Sequence, residues 1–246
     1  MSFINKLQEK EWLNEVVILI VASLFLGIIL AIQFKWPIIS IEPINILYSF
    51  FICLSLFVVF IGAQKLTAYF LDCTTRTKLI SFRRYWFQPL SEHGKAILPF
   101  EFPAWLVLPI LLAFVNIKWL AILNFDAEPK PTHVRRSWPN ITESDIGKIA
   151  ISGPLAVIAL GIITKIISPT FTNFSFLCIW LAFLSLIPIG SGFKLLNSSR
   201  ILWFFSFFFS IALLLLIRIS NTFAIVFMSI IFAVLATLAY YILYEK

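Results

Sequence analysis

Few side chains in this sequence carry groups that bond-making chemistry needs. In 246 residues there are two histidines, His93 and His133, and three cysteines, Cys53, Cys73 and Cys178. A catalytic zinc centre asks for three protein ligands and an open fourth position. Glu92, His93, Glu101 and His133 form a grouping that offers imidazole and carboxylate together. Both histidines fall in polar segments between apolar runs, so solvated loop side chains are the simpler reading. The cysteines form no C-x-x-C pair and no even framework, which argues against a disulfide scaffold and a thiolate zinc site. Cys53 and Cys178 lie inside apolar runs and read as packing residues. A serine mechanism at Ser191 needs a neighbouring base, and no apolar run contains a histidine. Glu101 interrupts an apolar stretch, and an acid at membrane depth is a functional candidate by default.

The elements that would position these groups are membrane helices. The chain is 61% hydrophobic, 13% charged and 17% aromatic, with a mean hydropathy of +0.98. A soluble domain is about 45–50% apolar and about 25% charged. So apolar a chain cannot hide its side chains in one water-soluble core. This excludes an ordinary cytosolic enzyme, a disordered chain and a nucleic-acid-binding domain, and it leaves a polytopic membrane protein. The net charge of +7 then reads as cytoplasmic loop bias rather than a nucleic-acid surface.

Six runs approach the ~20 apolar residues that a bilayer core requires. They are about 14–33, 44–66, 146–167, 174–193, 201–217 and 221–243. The first is too long for a signal peptide, lacks an A-x-A site and has Glu9, Glu11 and Glu15 at its start. Residues 1–13 are expected to form an interfacial lead-in, and 14–246 a single membrane domain. Thr142 to Asp145 resembles a capping box with Asp in place of Glu, and Pro169 marks the far end of that helix. The fold expected is therefore all-α.

A seventh stretch, 98–124, carries Pro99, Pro103, Pro109, Asn116 and Lys118 besides Glu101. Crossing once, it would put one of the basic loops 67–97 and 125–145 outside. Entering and returning on one side, it puts both in the cytoplasm with both termini. Only Lys35, Lys165 and Arg218 of the 19 Lys and Arg then fall outside, with Lys118 counted inside. The charge bias favours this re-entrant reading, in a plasma membrane protein. Re-entrant backbone needs protein or water around it, so the stretch should lie against a groove.

Four stretches, spread over about residues 50–205, resemble the site-2 proteases, zinc metalloproteases that cut inside the membrane, and most nearly their compact archaeal-type branch. Phe60-Ile61-Gly62-Ala63-Gln64-Lys65 stands where that branch has His-Glu-x-x-His-Lys. Arg83-Arg84-Tyr85-Trp86-Phe87-Gln88-Pro89 is similar to its Arg-x-Trp-Pro stretch. Gly147-Lys148-Ile149-Ala150-Ile151-Ser152-Gly153-Pro154-Leu155 is similar to its Gly-Lys-Ile-x-x-Ala-Gly-Pro-Leu signature. Ser191-Gly192-Phe193-Lys194 resembles its Asp-Gly-x-Lys. The resemblance implies a three-helix core in which Phe60, Gln64 and Ser191 converge.

It also implies what is missing. The two His ligands are matched by Phe60 and Gln64, the Glu base by Ile61 and the Asp ligand by Ser191. The Asn after Gly-Pro is matched by Val157. Phe and Ile bind no zinc, and Ile takes no proton, so zinc is expected to be absent. The reading that follows is a catalytically inactive member that binds a transmembrane or extended peptide as scaffold, chaperone or regulator. Its partners would be the bilayer and a client helix or an active membrane protease. Groove candidates are Gln64, Glu101, Ser152, Gly153, Pro154, Pro188 and Ser191. An active metallopeptidase with a rebuilt site and a small transporter or channel stand as alternatives. The second lacks the paired intramembrane charges such pathways use.

Overall fold

The computed structural model describes residues 2–35, 38–40, 43–81, 103–129, 141–218 and 221–244. It is mostly helical. Its elements are α1 (Ser2–Ala31), β1 (Gln33–Lys35), β2 (Ile38–Ser40), α2 (Pro43–Phe70), β3 (Cys73–Leu79), α3 (Ala104–Phe114), β4 (Leu123–Pro129), α4 (Glu143–Ile167), α5 (Thr172–Leu186), α6 (Ser191–Ser198), α7 (Arg200–Leu216) and α8 (Thr222–Tyr244). Five helical stretches are long and apolar enough to cross a membrane: Asn14–Ala31, Ile44–Phe70, Glu143–Ile167, Pro169–Leu186 and Thr222–Ile242. This is a membrane protein. The apolar α7, at 17 residues and about 25 Å, stands at the short end of the about 17–25 residues that a spanning helix uses.

Helices α1 and α2 run antiparallel, joined by the β1–β2 hairpin, whose register pairs Phe34 with Ile39. Glu15 meets Lys65 near one end, and a Cβ at Gly27 would come within 2.9 Å of the Phe50 backbone near the other. From there α2 packs on α4, α4 on α5, α5 on α7 and α7 on α8. Between helices in lipid there is no hydrophobic drive, so close backbone approach and shape carry the packing. The largest buried cluster joins Leu26, Phe57, Phe60, Leu120, Val157 and Leu181 from five segments. The cap of α4 forms as its sequence implies: the Asp145 amide donates to Thr142 Oγ1 at 3.3 Å, and Thr142 Oγ1 donates to Asp145 Oδ2 at 2.7 Å.

The mostly helical fold expected also holds a strand pair: β3 and β4 run antiparallel over seven residues, from Cys73↔Pro129 to Leu79↔Leu123. Residues 2–13 belong to the same continuous helix as the first span. The 174–193 run is not one helix: α5 stops at Leu186, and Pro188 and Gly190 sit in a turn before α6. Pro cannot donate to a helix ladder, so the turn falls there. The 98–124 stretch holds an 11-residue helix, α3, about 16 Å long. This excursion starts and ends at one place. The Ile80 amide donates to the Ile122 carbonyl at 2.9 Å, and the Trp105 amide to the Ile80 carbonyl at 2.9 Å. Its far tip turns at Asn116, whose φ of 62° an Asn tolerates. Beside it Lys118 Nζ donates to the Leu30 carbonyl at 2.8 Å, satisfying the last turn of α1. Lys118 thus sits at the C-terminal end of α1, the end away from Glu15 and Lys65.

Candidate functional site

The expected ligand positions fall on α2 and at the start of α6. Phe60 is 3% exposed and Gln64 4%, one helical turn apart on the buried face of α2. Opposite Phe60 stands Gly153 of α4; a Cβ there would lie 3.0 Å from the Phe60 ring. The lack of a side chain at Gly153 is what lets the ring in. Ile61 and Val157 are also buried, in the same cluster. Ser191 is 3% exposed, and its Oγ donates to the Ser185 carbonyl at 3.1 Å. Two small cavities lie by these positions, each with about 10 Å³ of room for water. Phe60, Leu123 and Ser185 border one; Leu123, Ser185, Gly190 and Ser191 border the other.

Gln64 differs from its neighbours. Its Nε2 is buried without a hydrogen-bond partner among the described residues. One turn further, Ala68 packs in a cluster with Ile149, Ala150, Leu186 and Leu195, at the seam of α2, α4 and α6. An unsatisfied buried amide costs about 1–3 kcal/mol. Ser152 Oγ is spent on the Ile149 carbonyl of its own helix at 2.8 Å. Pro154 is buried inside α4, while Pro188 is exposed. Glu92, His93, Glu101 and His133 lie outside the described residues.

These groups do not fit zinc. Phe60 fills its space with an apolar ring, the Ser191 hydroxyl is committed to a carbonyl, and Gln64 is a weak neutral donor. Among the described residues, no group of three His, Cys, Asp or Glu is gathered that could hold a metal.

Beside this core lies a polar arrangement that the sequence reading missed. The outer edges of the β3–β4 pair are covered at a single rung, Thr77↔Phe125. On one side the Thr77 amide donates to Glu15 Oε1 of α1 at 2.9 Å, and Glu15 also pairs with Lys65 of α2. On the other side Lys194 Nζ of α6 donates to the Phe125 carbonyl and lies 4.3 Å from the centre of the Phe125 ring. The Phe125 amide is satisfied by the Asn124 side chain at 2.9 Å. Lys194 is 3.2 Å from Asp126 Oδ1, and Lys78 of β3 is 2.6 Å from Asp126 Oδ2. The hydrogen bond from Lys78 holds the Asp126 carboxyl below its ordinary range, and Asp126 raises Lys78 in return. Burial pushes the Lys194 ammonium down, with Asp126 pulling it up.

Bonding alternates along an antiparallel ladder. Because Ile80 and Ile122 are bonded, the backbone groups of Leu123, Phe125 and Ala127 point away from β3. Those of Ala127 meet no partner among the described residues. The signal for these strands was present as alternation: Leu123, Phe125 and Ala127 against Asn124, Asp126 and Glu128, and a β-branched run at Thr74, Thr75 and Thr77.

No family model, no curated protein and no solved structure matches this chain. The resemblance to the site-2 proteases therefore rests on the four sequence stretches alone.

Proposed function

We propose that this membrane protein is a catalytically inactive relative of the site-2 proteases that holds a client segment in extended form against the outer edge of β4. One observation carries the reading. The Phe125 carbonyl on that edge is satisfied by a flexible lysine, where a third strand would otherwise donate, and Ala127 beyond it has no backbone partner among the described residues. Edge strands with free backbone groups are templates for an added strand. Leu123 of that strand shares a cavity with Ser191 at the start of α6, the position matched to a metal ligand in the resembled family. Recognition of this kind needs backbone groups and a wall, not a metal. With α7 counted as a sixth crossing, both termini and the strand pair are assigned to the cytoplasmic side of the plasma membrane, on the basic-residue bias. The client is a membrane-protein segment, and the role is that of scaffold, chaperone or regulator.

A fluorescent nonapeptide of alternating Val and Thr, titrated against the full chain in phosphatidylcholine nanodiscs, tests the reading. Ala127→Pro removes an outward N–H without touching the ladder to β3. Binding that this substitution weakens at least about tenfold is expected. Absence of binding, or binding indifferent to the substitution, would refute edge recognition.

A further inference from the structure

Two ammonium groups share one carboxylate at the β4 edge. Lys78 and Lys194 both approach Asp126, whereas Lys65 has Glu15 and Arg76 has Glu128 at 3.3 Å. Lys194 is the more enclosed of the two, its side chain 25% exposed against 61% for Lys78. It completes its shell with a neutral carbonyl, that of Phe125, which is the acceptor an added strand would use. An added strand must therefore displace Lys194 and leave a half-buried ammonium short of a partner. A strand bearing an acid at that position supplies the partner as it arrives.

We propose that the segment taken up along β4 carries an acidic side chain opposite Phe125, and that this carboxylate draws Lys194 off the Phe125 carbonyl. Three changes then occur together. Lys194 gains a full charge partner, Asp126 is left to Lys78, and the Phe125 carbonyl is released to accept the incoming backbone N–H. A basic side chain at the same position brings a second ammonium against Lys194 and is rejected by repulsion. Selectivity here is for charge at one register position, with apolar or β-branched residues on either side. The inference rests on the edge reading above and deepens it.

The test uses the same nonapeptide with Glu, Gln or Lys at its centre, on the full chain in phosphatidylcholine nanodiscs at low ionic strength. The Glu peptide should bind about tenfold more tightly than the Gln peptide, and the Lys peptide less tightly than either. In Lys194→Met, which keeps the apolar stem, the Glu and Gln peptides should bind alike. Lys194→Arg should keep the preference for Glu, which shows that the site tolerates substitution. Equal binding of Glu and Gln peptides to the unsubstituted chain overturns the charge inference and leaves edge recognition standing. So does a Glu preference that survives Lys194→Met. No binding by any of the three overturns both.

Discussion

Gly153→Ala tests whether α2 and α4 meet as described. The added Cβ would sit 3.0 Å from two ring carbons of Phe60 and 3.1 Å from a third, where carbon atoms prefer about 3.5–4.0 Å. The ring must then retreat by roughly half an ångström or more. It is 3% exposed, and the cavity that it borders has room for about one water. Overpacking of this kind costs about 1–3 kcal/mol. Two other effects act on the same substitution. Alanine gains up to about 1 kcal/mol of helix propensity over glycine. A Cβ just before Pro154 crowds the proline ring, which disfavours the helix.

A double-mutant cycle with Phe60→Leu removes both, because propensity and the pre-proline clash are the same in either background. The shorter leucine side chain leaves room for the methyl, so Gly153→Ala should cost about 1–2 kcal/mol less in the Phe60→Leu background than beside the native Phe60. The assay is reversible unfolding in mixed dodecylmaltoside and dodecyl sulfate micelles, followed by tryptophan fluorescence. Additivity within about 0.5 kcal/mol would show that the ring and Gly153 are not in contact. The α2–α4 alignment on which the site rests would then be wrong.

Gln64→Leu should stabilise the fold by about 1 kcal/mol in the same assay, since it removes a buried amide without a partner; a loss of stability would show that the amide is satisfied. Purified protein should hold no stoichiometric zinc and cleave no transmembrane substrate, and Phe60→His, Ile61→Glu, Gln64→His and Ser191→Asp should all be needed before either appears. One zinc per chain, lost on replacing His93 or His133, would point instead to a rebuilt site. In a cysteine-less background, an impermeant thiol reagent applied outside should label Asn221→Cys and spare His133→Cys; the reverse pattern would invert the proposed orientation.

The spanning helices were legible because apolar length is a strong signal, and the cap of α4 because its chemistry is local. The break after Leu186 was harder. Ile187 and Ile189 keep the run apolar across Pro188, so hydropathy reads through a turn that backbone chemistry imposes. The β3–β4 pair was hidden for another reason. Each strand alone is a short polar stretch, and the register joins residues some fifty positions apart, such as Thr77 and Phe125. Lys118 was placed by charge bias, yet its acceptor is the Leu30 carbonyl, 88 residues away, and no spacing rule reaches that far. Glu15 read as one of several acids at the head of a helix, while its roles, holding Lys65 and the Thr77 amide, belong to tertiary contacts. At the site, residue types alone argued against zinc. That Phe60 is locked against Gly153, and that Lys194 stands on a strand edge, required coordinates.

The two halves of the site obey different physics. On α2, Phe60 behaves as a core residue. It fills its space and matches a glycine across the helix interface. A ring in that place is packing, and packing alone explains it. The strand edge is explained so only in part. Phe125 and Leu123 are buried, Phe125 in an apolar cluster with Leu186 and Leu195, yet the outward backbone groups are not paired with a strand. Here a lysine that shares its carboxylate with another lysine satisfies one carbonyl, and the next outward backbone groups meet no partner among the described residues. Holding a long charged side chain in one geometry costs side-chain entropy and desolvation, and a carbonyl returns little of either. Such an arrangement makes physical sense if the lysine is a replaceable partner. On the reading proposed above, the working surface lies along β4 and α6, a few residues from the positions where the resemblance to a protease first draws attention.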